Sequence, residues 1–82
     1  MTFIFKHFTE LSLEELYDIL KLRAEIFVVE QDCVYNDLDE LDKDAIHQFL
    51  RKDGEIVAYS RLLRPGTRFP DYSIGRVVVK DT

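Results

Sequence analysis

Apolar residues at helical spacing, Leu13, Leu16, Tyr17, Leu20, Ala24, Phe27 and Val28, dominate the N-terminal part of the chain. Residues three and four apart share one face of a helix, so this stripe predicts a helix with one side on a core. Its start is well marked. Ser12 can cap, Glu15 three positions on completes a capping box, and Leu11 can staple onto Leu16. Glu14, Asp18, Lys21 and Glu25 occupy the opposite face. The spacing predicts a helix, α1, from about Leu13 to Val29. A scaffold helix commonly ends in a glycine and a short turn. This one passes through Phe27-Val28-Val29-Glu30-Gln31 into an acidic, tyrosine-containing loop that reaches Asp39, a set of groups suited to face a ligand.

The flanks read as strands. Thr2 to Phe8 is rich in Phe and Ile and predicts β1; Ile46 to Lys52 predicts β2. Asp53-Gly54 is a hairpin signal, so Ile56 to Leu63 returns beside β2 as β3. Arg64 to Asp71 contains two prolines and a glycine and must be a loop. Ser73 to Val79 predicts β4. Asp32 to Ala45 has no sustained period and reads as loop or one short helical turn. The result is a single α+β domain over residues 1–82, one long helix on a mainly antiparallel sheet. Val77-Val78-Val79 then lies at an apolar sheet edge, which natural proteins usually cover, by another chain or by a following segment.

Composition narrows the function. The net charge of -5 disfavours nucleic acid, which needs clustered Lys and Arg, and suits cationic partners such as amines. One cysteine, Cys33, excludes an internal disulfide and fits a reducing, cytoplasmic setting. No apolar run approaches the ~18 residues of a membrane span, so no membrane partner is expected. The Asp37 to Asp44 run fails as a calcium loop, because Leu41 and Lys43 intrude and the turn glycine is absent; no metal is expected.

The segments LRAEIFVVEQDCVYNDLDELD, His47, EIVAYSRLL and SIGRVVV, in this order, resemble the N-terminal half of a GCN5-related N-acetyltransferase (GNAT) of the ElaA type. The resemblance implies the order β1–α1–α2–β2–β3–β4, with a second helix, α2, ahead of β2. It implies acyl transfer from acetyl-CoA, as cosubstrate, to a primary amine of a small molecule or peptide. It places the pantetheine arm along the main chain of Val77, Val78 and Val79, where a backbone N–H would polarise the thioester carbonyl. The family's glycine-rich pyrophosphate loop and its general-acid tyrosine lie beyond β4. The chain runs out at Lys80-Asp81-Thr82, so it carries the acceptor-side wall and half a cofactor groove and is not expected to act alone.

The same resemblance puts Glu30 at the acceptor entrance, where it would hold the ammonium or relay its proton as the catalytic group. Against this stands a solvated helix end, at which a negative Glu opposes the dipole. Phe27, Gln31, Tyr35, Asp37 and Asp39 are the acceptor-binding candidates. Arg23, Arg61 and Arg76 interrupt apolar surroundings; a buried arginine must be paired, so they are assigned to ion pairs that pin the Asp37–Asp44 loop over the sheet. His47 reads as a satisfied, partly buried histidine, and a Cys33–His47 nucleophile has nothing to bring its members together. Two alternatives remain. One is an acyl-homoserine-lactone synthase, which resembles this chain in its Arg-x-x-x-Phe helix and Asp-rich loop but usually carries a Trp that is absent here. The other is a non-catalytic domain that forms a homodimer through the β4 edge.

Overall fold

A computed structural model describes residues 3–30, 37–67 and 70–80. Four strands, β1 (Phe3–His7), β2 (Ile46–Lys52), β3 (Glu55–Leu63) and β4 (Ser73–Val79), form one antiparallel sheet in the order β1-β2-β3-β4. The bounds of β2 and β4 coincide with those read from composition and turn signals. Asp53 and Gly54, at φ of 52° and 80°, make the tight hairpin between β2 and β3. Positive φ at both central positions matches the right-handed twist of the flanking strands, which is why Asp-Gly marks such a turn.

The helix α1 covers Leu13–Arg23. Ser12 Oγ accepts from the Glu15 N–H at 3.0 Å, and Glu15 Oε1 accepts from the Ser12 N–H at 2.8 Å, which closes the capping box. Glu15 also pairs with Lys6 of β1 at 2.9 Å and so ties the helix start to the sheet. From Ala24 to Glu30 the helix continues, but widened into π-type turns. Such turns are rare overall and frequent at functional sites.

The second helix implied by the family resemblance does not occur among the described residues. Ahead of β2 there is only a 3₁₀ turn, Leu41–Asp44, entered through Glu40 at a φ of 66°. In the described part of that segment the left-handed Glu40 interrupts a helical run, and Asp37, Asp39 and Asp42 are held by arginines from three different elements.

Ile19 and Leu22 of α1 pack on Phe49, Ile56, Tyr59 and Val78 of the sheet, with Ile4, Leu11, Ile26 and Phe27 around them. Ile4, Phe49, Tyr59 and Val78 share one row across all four strands. Side chains alternate between faces along a strand. The neighbouring row, Phe3, Leu50, Ala58 and Val79, therefore lies on the face away from the helix, where Phe3, Phe5, Val77 and Val79 are exposed.

Candidate functional site

Where α1 ends against β3 and β4, three arginines meet three aspartates in a closed ring. Asp37 bridges Arg23 and Arg76: its Oδ2 lies 2.9 Å from Arg23 Nε and its Oδ1 lies 2.8 Å from Arg76 Nε. The first of these is a charge contact without hydrogen-bond alignment. Asp39 bridges Arg76 and Arg61, at 3.4 and 2.7 Å. Asp42 bridges Arg61 and Arg23, at 3.1 and 2.9 Å. Each carboxylate thus joins a different pair of guanidinium groups, and the six formal charges cancel. The Asp37 carbonyl also accepts from Arg23 Nη2 at 2.9 Å and from Arg76 Nη2 at 3.1 Å.

The ring is buried, with Arg23 and Arg61 almost fully enclosed. Burial is the largest influence on both and lowers their proton affinity. It is outweighed by the carboxylates around them, Asp42 at Arg23 and Asp39 and Asp42 at Arg61, so both are held above the usual arginine value. At Asp39 burial raises the carboxyl, and the Arg61 hydrogen bond and charge, with the Leu41 N–H and Arg76, bring it below its ordinary range.

His47 extends the ring inward. Its Nε2 donates to the Asp42 carbonyl at 2.9 Å, because a backbone carbonyl can only accept. That fixes the tautomer and leaves Nδ1 to accept the Tyr59 hydroxyl proton at 2.6 Å. Tyr59 lies under Arg23, whose guanidinium carbon is 5.8 Å from the ring centroid. Burial pushes His47 down, and Arg23 and Arg61 push the same way against the Asp42 carbonyl and charge. Burial pushes Tyr59 well above its normal value. Both therefore stay neutral near neutral pH, serving as a hydrogen-bonded wall and not as a proton source.

These directions set how stability depends on pH. The folded state keeps His47 neutral while the unfolded chain protonates it below about 6.5, so stability should be full above that value and fall as pH drops below it. Asp39, depressed by Arg61, contributes stability above about 3.8 that is lost as pH falls further. Urea midpoints from pH 8 to pH 3 check this. A midpoint flat between pH 7 and pH 5 would contradict the neutral, buried His47.

β4 carries the second half of the site. Tyr59 pairs with Val78 and Arg61 with Gly75, so Arg76 and Val77 together face Ser60 across a β-bulge. Arg76 sits there at a φ of 52°. Beyond the bulge the Lys80 N–H donates to Val57 O, at 2.7 Å. N–H groups alternate in direction along a strand, so the Val79 N–H points away from β3, onto an edge that no described strand covers.

The other candidates are placed as follows. Phe27 is half-buried against the core, and Glu30 closes the π-type segment that leads into the site. Gln31, Cys33 and Tyr35 lie outside the described residues. Val77 and Val79 are exposed while the Val78 side chain is in the core. Asp42 and Tyr59, which no sequence pattern singled out, prove central: Asp42 is one of several acidic residues in its loop, and Tyr59 reads as an ordinary strand aromatic. Among the described residues no cluster of His, Cys, Asp and Glu could hold a metal, and no helix is long and apolar enough to cross a membrane.

Comparison with known proteins gives a consistent picture. The chain is 49% identical over 74 residues to a UPF0039 protein of Synechocystis, covering 89% of this chain and 48% of that protein. It is 43% identical over 77 residues to Protein ElaA of Escherichia coli, covering 92% and 50%. Among solved structures, an acyl-CoA N-acyltransferase from Pseudomonas aeruginosa superposes with a TM-score of 0.92 at 43% identity, covering 99% of this chain and 57% of that one. Escherichia coli ElaA superposes with a TM-score of 0.90 at 40% identity, covering 98% and 55%. No family model matches. The chain spans about half the length of the curated relatives it matches.

Proposed function

Over the length it shares with these relatives the chain belongs to the ElaA-type branch of the GNAT acyl-CoA N-acyltransferases, and we propose that it forms the acceptor-side wall and the β4 half of the acyl-CoA groove in an enzyme that acetylates a primary amine. The observation that carries this reading is the bulged β4 edge beside the arginine–aspartate ring. An edge strand with outward N–H groups and exposed Val77 and Val79 fits an extended, amide-bearing arm such as pantetheine. Bound acetyl-CoA would supply an activated thioester. An outward β4 N–H, such as that of Val79, would donate to the oxygen on which charge develops. Glu30, at the end of the helix, would take the proton of the incoming ammonium through water, and Phe27, Gln31, Tyr35, Asp37 and Asp39 would line the amine's approach. The amine nitrogen bonds to the acyl carbon as the carbon–sulfur bond breaks, and the thiol leaves with a proton, so no covalent enzyme intermediate is required.

Thiol release from acetyl-CoA, measured against a panel of primary amines with the protein as encoded in its gene, tests the reading. Amine-dependent release is expected, and Glu30→Gln should lower kcat by about 10²-fold or more with little change in acetyl-CoA KM. Full activity in Glu30→Gln would remove Glu30 from the mechanism; no release with any amine would remove the transferase itself.

One observation favours a second reading. Ile74, Val77 and Val79 of β4, whose outer edge no described strand covers, are more than half exposed, a surface suited to pairing with a second copy. Light scattering separates the two, since a monomer at working concentration excludes the edge-paired dimer.

A further inference from the structure

We propose that Arg76 is a positioning residue whose hold on Asp37 and Asp39 sets the β4 bulge and thereby aims the outward β4 N–H groups. Its catalytic consequence rests on the acyltransferase reading above; its structural half does not.

The bulge alone does not explain an arginine. A φ of 52° is unfavourable for any residue with a Cβ, and glycine would adopt it freely. Arg76 is instead held from its far end. Nε reaches Asp37 Oδ1 at 2.8 Å, and Nη2 reaches the Asp37 carbonyl at 3.1 Å and Asp39 Oδ2 at 3.4 Å. Those partners are themselves fixed, Asp37 by Arg23 at the end of α1 and Asp39 by Arg61 on β3. The guanidinium is therefore a fixed point, and a backbone change at Arg76 that carried the side chain away from it would cost these charge-assisted contacts, which offsets the strain of the left-handed region. A bulge re-aims the strand that contains it, so the tether acts on every N–H that follows. It also makes the acceptor-side loop and the β4 edge one mechanical unit, in which movement of Asp37 is felt at Val77 to Val79.

The test uses the protein as encoded, in three forms: wild type, Arg76→Gly, which permits the positive φ without the tether, and Arg76→Lys, which keeps the charge without the fork. Amide hydrogen exchange is read without any substrate, and kcat and KM are read with acetyl-CoA and an accepted amine. Arg76→Gly should speed exchange at Val78 and Lys80 by about tenfold or more, as expected for loss of a charge-assisted contact, while the Phe49 amide in the sheet centre keeps its rate. Its kcat should fall by about tenfold or more with amine KM little changed, and Arg76→Lys should lie between. Unchanged exchange at Val78 and Lys80 in both variants would overturn the proposal. So would faster exchange with an unaltered kcat. If the wild type transfers no acyl group, the acyltransferase reading fails, and the exchange rates alone decide whether the tether sets the bulge.

Discussion

Replacing Arg23 with alanine should cost about 3–5 kcal/mol, enough to unfold much of a domain this small. Arg23 is fully enclosed and holds two corners of the ring, Asp37 and Asp42. Without it both carboxylates stay buried with one cation fewer, and it is this uncompensated charge, more than the attraction lost, that destabilises. Arg61→Ala should behave alike, since it leaves Asp39 and Asp42 in the same position. The contrast is Lys6→Ala. Lys6 pairs with Glu15 near the surface, where solvent replaces the lost partner, and the expected loss is about 1 kcal/mol or less. Urea denaturation of the three variants checks the ranking. A loss for Arg23→Ala no greater than for Lys6→Ala would mean that water reaches the ring.

Tyr59 should show the next largest effect, in two steps. Tyr59→Phe keeps the ring that packs on Ile19, Leu22 and Phe49 but removes the hydroxyl that His47 Nδ1 accepts from. Leaving that buried nitrogen without a donor should cost about 1–3 kcal/mol. Tyr59→Ala also opens a cavity in the core and removes the aromatic surface under Arg23, raising the loss to about 3–5 kcal/mol. Thermal unfolding of both variants measures the two steps. Tyr59→Phe should in addition free Nδ1 to take a proton in the folded state, so the further stability lost as pH falls below about 6.5 should be smaller than in the wild type. Equal losses for the two substitutions would mean that the hydrogen bond, not the packing, carries the contribution of Tyr59.

The transferase reading joins these two results to chemistry. The ring that stabilises the domain lies between the helix end, where an amine would approach, and the β4 edge, where an acyl-CoA arm would lie. A substitution in it therefore reports on stability first and on catalysis second. Arg76, half-buried and at the rim, is the member best suited to separate the two.

Short-range chemistry accounts for most of the fold. Ser12 and Glu15 start the helix through bonds three residues apart, and Asp53-Gly54 turns the chain because only certain residues tolerate its φ values. Period-two patterning between such signals bounds β2 and β4. These features are legible in the sequence because cause and effect lie within a few residues of each other. The arginines were legible as a chemical demand, since charge in an apolar strand must be paired. The loop that pairs them, Asp37–Asp44, was legible too; which aspartate meets which arginine was not. Arg76 reaches Asp37 across 39 positions and Arg61 reaches Asp39 across 22, and those distances close only once the strand register is set. The same holds for the widened helix after Arg23, the bulge at Arg76 and the Tyr59–His47 bond. Local propensity thus decided the elements, and the low-dielectric contact between α1, β3 and β4 decided which charges meet, because a buried charge takes whatever partner the packing brings within reach.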